Sequence, residues 1–191
     1  MRIISGAFKG RKLASLRGLA TRPTTDRVRE SVFNIMAGDI KDAVVLDLFA
    51  GTGALGLEAL SRGAASAVFI DVSDAAISII RKNIAACRMD AQCRVIRWDI
   101  LKNLNCLDPD NAAFDLVFMD PPYHRNFILP ALVNLTKKNV LKYSAKIIIE
   151  HSDQEPIPEN LPGLHLSDQR TYGKTLVSFL TGVLQEKIHC I

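Results

Sequence analysis

From Ala43 to His151 the chain repeats one pattern: a short apolar run, a longer stretch with helical spacing, then another apolar run. Ala43–Leu48, Ser66–Asp71, Cys93–Trp98, 114–120 and Lys146–His151 read as strands, because they are short, β-branched and aromatic-rich and are bounded by turn residues. Between them lie helices. One spans Gly53–Ser61 and stops at Gly63. Ser73 caps a second, with Ala76, Ile79, Ile80, Asn83, Ile84 and Cys87 on one face. A third spans Phe127–Asn139, with Leu129, Leu132, Val133 and Leu135 as its apolar set. Strands alternating with helices of this length make βαβ units. They require an α/β fold with a doubly wound, mostly parallel sheet.

The two ends read differently. Pro156, Pro158 and Pro162 mark a loop, and Leu164–Thr171 and Thr175–Thr181 then form an antiparallel hairpin around Gly173-Lys174 at the sheet edge. At the start, Arg2–Ser5 and Arg11–Leu13 pair as a small hairpin, and Gly18–Arg22 is a linker. Thr24-Thr25-Asp26 then opens a helix with Val28, Val32, Ile35 and Met36 as its stripe, ending near Gly38. The expected organisation is a basic extension over 1–38 followed by one domain over 39–191.

Asp47, Glu58 and Asp71 interrupt the apolar stretches before any reaches the roughly 18 residues of a membrane span. Met1–Gly6 has no long apolar core and no cleavage pattern, so the expected compartment is the cytoplasm. Cys87, Cys93, Cys106 and Cys190 form no Cys-x-x-Cys pair, and the histidines are scattered; reduced thiols are expected, with no metal site.

The net charge of +4 conceals an asymmetry. Residues 1–29 carry Arg2, Lys9, Arg11, Lys12, Arg17, Arg22, Arg27 and Arg29 against Asp26 alone, a charge of +7, while the remainder is −3. A positive arm on a mildly acidic body suits a polyanionic partner such as nucleic acid. It also suits a solvated basic edge that keeps a hairpin from aggregating.

Two stretches carry the chemistry. The run Phe114–Met119 ends in Asp120-Pro121-Pro122-Tyr123. The prolines stop the strand, so a carboxylate, rigid carbonyls and an aromatic ring stand where ligands bind in open α/β sheets. Taken alone, this corner is equally a plain strand stop. The first strand runs into Asp47-Leu48-Phe49-Ala50-Gly51-Thr52-Gly53-Ala54-Leu55-Gly56, a Gly-x-Gly-x-x-Gly turn between strand and helix. Asp71 lies twenty residues beyond Gly51, at the next strand end, where a carboxylate accepts from ribose hydroxyls. A nicotinamide dinucleotide and S-adenosylmethionine both fit. Asp47 favours the second, because an acid there receives an ammonium but repels a pyrophosphate. Asp99, after the third strand, is placed either to accept from an adenine amine or to cap the turn before Ile100-Leu101.

With Asp47, Phe49, Gly51, Gly53, Asp71, Asp99 and Asp120–Tyr123 in this order, the chain resembles Rossmann-like class I S-adenosylmethionine-dependent methyltransferases. The Asp-Pro-Pro-Tyr corner resembles that of enzymes acting on exocyclic amines of nucleobases. Met1–Gly6, Lys9-Gly10-Arg11, Arg22–Asn34 and Asp47–Gly63 are similar to the RsmD family, and the resemblance covers nearly the whole chain. It implies methylation of N2 of a guanine in bacterial 16S rRNA, within the small ribosomal subunit or an assembly intermediate. It also implies that Arg22–Arg29 folds over the cofactor and target pocket. Asp120, Pro121, Pro122 and Tyr123 would act on the base. Asp47, Phe49, Gly51, Gly53, Asp71 and Asp99 would hold the cofactor. Arg2, Lys9, Arg11, Lys12, Arg22, Arg27 and Arg29 would meet RNA. A monomer is the expected state. The rivals are a DNA adenine-N6 methyltransferase, for which the 66 residues numbered 54–119 leave no room for an inserted recognition domain, and a nicotinamide oxidoreductase.

Overall fold

The strand runs become β1 (Val44–Leu48), β2 (Ser66–Asp71), β3 (Cys93–Arg97), β4 (Phe114–Met119), β5 (Leu141–Ser152), β6 (Leu164–Tyr172) and β7 (Thr175–Gly182) of one sheet. The structure is a computed structural model, and it describes residues 1–15, 26–110, 113–158 and 161–182. The expected linker, the Thr24-Thr25 cap, Arg22 and the residues after Leu184 lie outside that range. The order across the sheet is β3-β2-β1-β4-β5-β7-β6. β1 to β5 pair in parallel, and β7 enters antiparallel between β5 and β6. The C-terminal hairpin is therefore present, with β6 as the free edge. Successive strands run outward from β1 in both directions, so a crevice opens at the C-terminal ends of β1 and β4.

Alternation along the strands divides the core in two. Val45, Phe69, Leu116, Phe118 and Ile148 face α1 (Asp26–Ile35), α2 (Ala54–Ser61) and α3 (Asp74–Cys87). Leu46, Leu48, Ile70, Val117, Met119, Ile147 and Ile149 face α4 (Ile128–Lys138) and the 100–107 loop.

Three apolar faces differ from the expected ones. On α1 the buried residues are Val28, Arg29, Val32 and Phe33, while Ile35 is exposed. On α3, Ile77 takes the place expected for Ile79. On α4, Ile128 and Ala131 are buried and Leu129 is exposed. The other expected residues of α3, Leu132 and Leu135 of α4, and Val28, Val32 and Met36 of the first stripe are buried, so each face is shifted only at its margin. Several neighbouring residues are apolar in each helix, so the sequence alone leaves that margin open. β5 also begins at Leu141 rather than Lys146. Lys142, Tyr143 and Ser144 near its start are exposed, and its register on β4 shifts between the Phe114 and Leu116 partners.

The N-terminal arm is pinned to the body by a buried acid. Glu58, fully buried on α2, accepts the backbone N–H of Ile4 at 2.7 Å and of Ser5 at 3.0 Å, and pairs with Arg62. Ser61 accepts from the Phe8 N–H and donates to the Ser5 carbonyl. Asn83 holds Ala14 from both sides. The arm runs so close to α2 that a Cβ on Gly6 would stand 1.8 Å from the Ser61 carbonyl oxygen. The expected hairpin reduces to one bridge, Arg2 with Lys12, flanked by Ile3 and Leu13 backbone bonds.

Candidate active site

The strand ends converge on one cavity of about 580 Å³, a size ordinary for a nucleotide-like ligand. Asp47, Phe49 and Gly51 reach it from β1, Asp71 from β2, Asp99 from β3, and Asp120, Pro121, Pro122 and Tyr123 from β4. The two motifs, separated by 63 residues in sequence, thus border a single space.

The turn after β1 is built from left-handed backbone. Phe49 has φ 57°, Gly51 56° and Gly53 75°. Asp71 braces it: Oδ2 accepts the Gly51 N–H at 2.9 Å, and Oδ1 accepts the Ser73 N–H at 2.9 Å. Each carboxylate oxygen accepts two bonds, so Asp71 keeps acceptor capacity for a ligand hydroxyl. Gly53 is not among the cavity-lining residues. It opens α2 where a Cβ would stand 3.3 Å from the Phe69 ring, so any contribution to a cofactor site would run through the turn. Gly56 has the same neighbour: a Cβ there would meet the Phe69 ring at 2.4 Å.

Asp47 is 2% exposed, and its Oδ2 accepts the Gly56 N–H at 3.0 Å. Burial pushes its carboxyl up to about 8; the Gly56 bond opposes that shift, and the charge of Asp71 adds to it. A cationic ligand group beside it would restore the carboxylate. Asp99 caps the turn, its Oδ1 accepting the Leu101 N–H at 3.1 Å, and it also lines the cavity.

At the other end, Pro121 is buried and Pro122 exposed. The Tyr123 hydroxyl donates to Glu150 at 3.1 Å and lies 3.3 Å from the Thr175 hydroxyl. Burial raises its pKa. Glu155 accepts the backbone N–H of His124 and of Asn126, both in left-handed backbone, and so shapes the loop after the corner. Phe127 closes that loop by stacking on Phe49, centroids 6.2 Å apart. Glu150, Thr175, Glu155 and Phe127 carry no motif. The pairing of β5 with β4 brings Glu150 to Tyr123, and the pairing of β7 with β5 brings Thr175.

The basic residues divide. Lys9, Arg11, Lys12 and Arg27 are exposed. Arg2 is exposed and paired with Asp26. Arg29, expected among the RNA contacts, is instead 1% exposed and borders the cavity; its position on the buried stripe of α1 withdraws it from the surface. Among the described residues no cluster of His, Cys, Asp or Glu could hold a metal ion, and no helix is long and apolar enough to cross a membrane.

A parallel sheet with its cavity at the switch point, rimmed by acids on successive strand ends, is the fold and site of a class I methyltransferase, for which S-adenosylmethionine is the expected cofactor. The acceptors present fit it: Asp47 for an ammonium, Asp71 for ribose hydroxyls, Asp99 for an amine. A family model described as conserved hypothetical protein 95 matches residues 1–181. The ribosomal RNA small subunit methyltransferase D of Haemophilus influenzae is 39% identical over 164 residues, covering 84% of each chain. Its Escherichia coli K12 counterpart is 40% identical over 159 residues, 83% of this chain and 78% of that one. The solved structure of yhhF from Escherichia coli superposes with a TM-score of 0.83 at 35% identity, covering 97% of this chain and 99% of that one. The chain belongs to the RsmD family.

Proposed function

We propose that this chain methylates the exocyclic N2 amine of a guanine in small-subunit (16S) ribosomal RNA. One observation carries the reading: Asp120–Tyr123 and the acids Asp47, Asp71 and Asp99 border the same cavity, so an amine held at the corner lies beside the expected methyl donor. The small-subunit methyltransferases of Haemophilus influenzae and Escherichia coli support rRNA as the substrate. The working unit is a monomer, acting on RNA within the small subunit or a precursor of it.

A guanine N2 amine is a weak nucleophile because its lone pair is delocalised into the ring. In this reading the Asp120 carboxylate and the Pro121 carbonyl accept its two N–H groups and turn the lone pair outward. Tyr123, fixed through its hydroxyl by Glu150, stacks on the base. The cofactor supplies an electrophilic methyl group on a sulfonium. The residues supply positioning and electrostatics, which account for much of the rate in such a displacement. A paired base does not reach the cavity, so the guanine is looped out or flipped. Arg2, Lys9, Arg11, Lys12 and Arg27 hold the backbone phosphates.

The test uses small subunits, and naked rRNA, from cells lacking the enzyme, incubated with the chain and methyl-labelled S-adenosylmethionine. Label on guanine N2 of the small-subunit rRNA is expected. Label on DNA only, or on adenine, rejects the reading in favour of an adenine-N6 enzyme. Binding of a nicotinamide dinucleotide in place of S-adenosylmethionine rejects the methyltransfer itself.

A further inference from the structure

Arg29 is a buried cation whose hydrogen bonds are incomplete. Its Nη2 donates to the Arg2 carbonyl at 2.6 Å and to Asp26 at 3.0 Å. Its Nε and Nη1 are buried without a hydrogen-bond partner. Unmet donors on a buried charged group are costly, and in a native protein they call for an explanation. Desolvation lowers the pKa of the guanidinium, with Glu58 and Asp26 opposing that shift; a guanidinium remains charged in proteins all the same.

The same side chain lines the cavity, together with Gly51 and with Ala54 and Leu55 at the start of α2. Four carboxylates, Asp47, Asp71, Asp99 and Asp120, also line it. Among the described lining residues, Arg29 is the only cationic side chain. The expected cofactor carries a sulfonium, an ammonium and one carboxylate. The acids answer the cations and the hydroxyls, which leaves one cationic side chain for the one anion. Position agrees with charge. In an amino acid the carboxylate sits one carbon from the ammonium, so its receptor must lie near the group that takes the ammonium. Asp47 bonds to Gly56 on α2, and Arg29 interacts with Glu58 on the same helix.

We infer that the unpartnered N–H groups of Arg29 bind the α-carboxylate of the cofactor, and that Arg29 belongs to the cofactor site rather than to the RNA surface. The inference rests on the S-adenosylmethionine reading of the cavity. It makes the first helix a part of the donor site and gives the chain a means of selecting the intact amino-acid end of its ligand.

The test is calorimetric titration of the full chain with S-adenosylmethionine and with its decarboxylated analogue, which keeps the sulfonium and the amine. The wild type should prefer S-adenosylmethionine by on the order of 10- to 100-fold, the range of a charge-assisted hydrogen bond. Arg29→Met should erase that preference by weakening S-adenosylmethionine alone, and Arg29→Lys should retain part of it. Equal affinity of the wild type for both ligands overturns the inference, as does a preference that survives in both variants. Loss of RNA affinity with cofactor binding intact also overturns it, and assigns Arg29 to a phosphate. Should Arg29→Met fail to fold, the wild-type ratio and the Lys variant still decide. A wild type that binds neither ligand fails the underlying cofactor reading, which is a distinct result.

Discussion

The Asp47 carboxylate and the Gly56 backbone N–H meet at 3.0 Å inside the protein, and burial, only partly offset by that bond, holds the Asp47 pKa at about 8. The acid that would receive an ammonium is therefore mostly neutral at pH 7 in the free protein. Pairing with a cation favours the charged form, so the bound pKa lies lower. Binding then releases a proton below about pH 8, and affinity for S-adenosylmethionine should rise from about pH 6 to about pH 8, by at most roughly tenfold per pH unit, before levelling. Calorimetry in two buffers of different ionisation enthalpy reads the released proton. Asp47→Asn should bind more weakly with a flatter profile. A wild-type affinity that stays constant over this range would count against an ionising Asp47.

Asp120 is assigned to the amine and not to the donor. Asp120→Ala should lower turnover by on the order of 100- to 1,000-fold, the usual loss for one positioned catalytic hydrogen bond. Its affinity for S-adenosylmethionine should match the wild type. Single-turnover methylation beside a cofactor titration separates the two effects. Near-normal turnover would remove Asp120 from the mechanism.

Gly6 combines a φ of 82° with a position where any Cβ would collide with backbone. Neither fault is relieved by a side-chain rotation, so Gly6→Ala should lift the arm from α2. The Glu58 carboxylate would then lose two backbone donors while still buried, a further cost of roughly 1–3 kcal/mol. Limited trypsin digestion should cut faster at Lys9, Arg11 and Lys12, and the melting temperature should fall. An unchanged digestion pattern would show that the arm is not held there.

Glu155 stabilises two left-handed residues, His124 and Asn126, by accepting their N–H groups. Desolvation pushes its carboxyl up, but these bonds outweigh that and hold it below its ordinary value. The ordering of the loop is thus present above the ordinary carboxylate pKa and fades as pH falls through the lowered one. Glu155→Ala should raise KM for RNA several-fold while leaving cofactor affinity intact. A rise in the cofactor Kd alone would place Glu155 with the wrong ligand.

The fold was readable because strand periodicity and the strand–helix alternation leave little freedom, and the carboxylates at 47, 71, 99 and 120 came with it as residues at strand ends. The margins of the helix faces were not readable. Arg29 sits beside Val28, and Phe33 beside Val32, so a stripe drawn through 28, 32, 35 and 36 looks as good as the real one through 28, 29, 32, 33 and 36. A charged residue on such a helix reads as surface until the packing is seen. The hold of Glu58 on the arm was hidden too: besides Arg62 it meets backbone N–H groups more than fifty residues away, and no side-chain pattern announces them.

The late entry of β7 into the sheet sets an order of assembly. β7 leaves the ribosome after β6 yet inserts between β5 and β6, and it carries Thr175 to the Tyr123 hydroxyl. Until the chain has been made past Thr175, the aromatic wall of the Asp120 corner lacks one of its two anchors. β5 meanwhile exposes an unpaired edge that includes Glu150, the other anchor. The donor end of the cavity, built from β1, β2 and β3, is complete much earlier. If the cavity is used as proposed, a nascent chain acquires the donor half of its site well before it can hold a base rigidly.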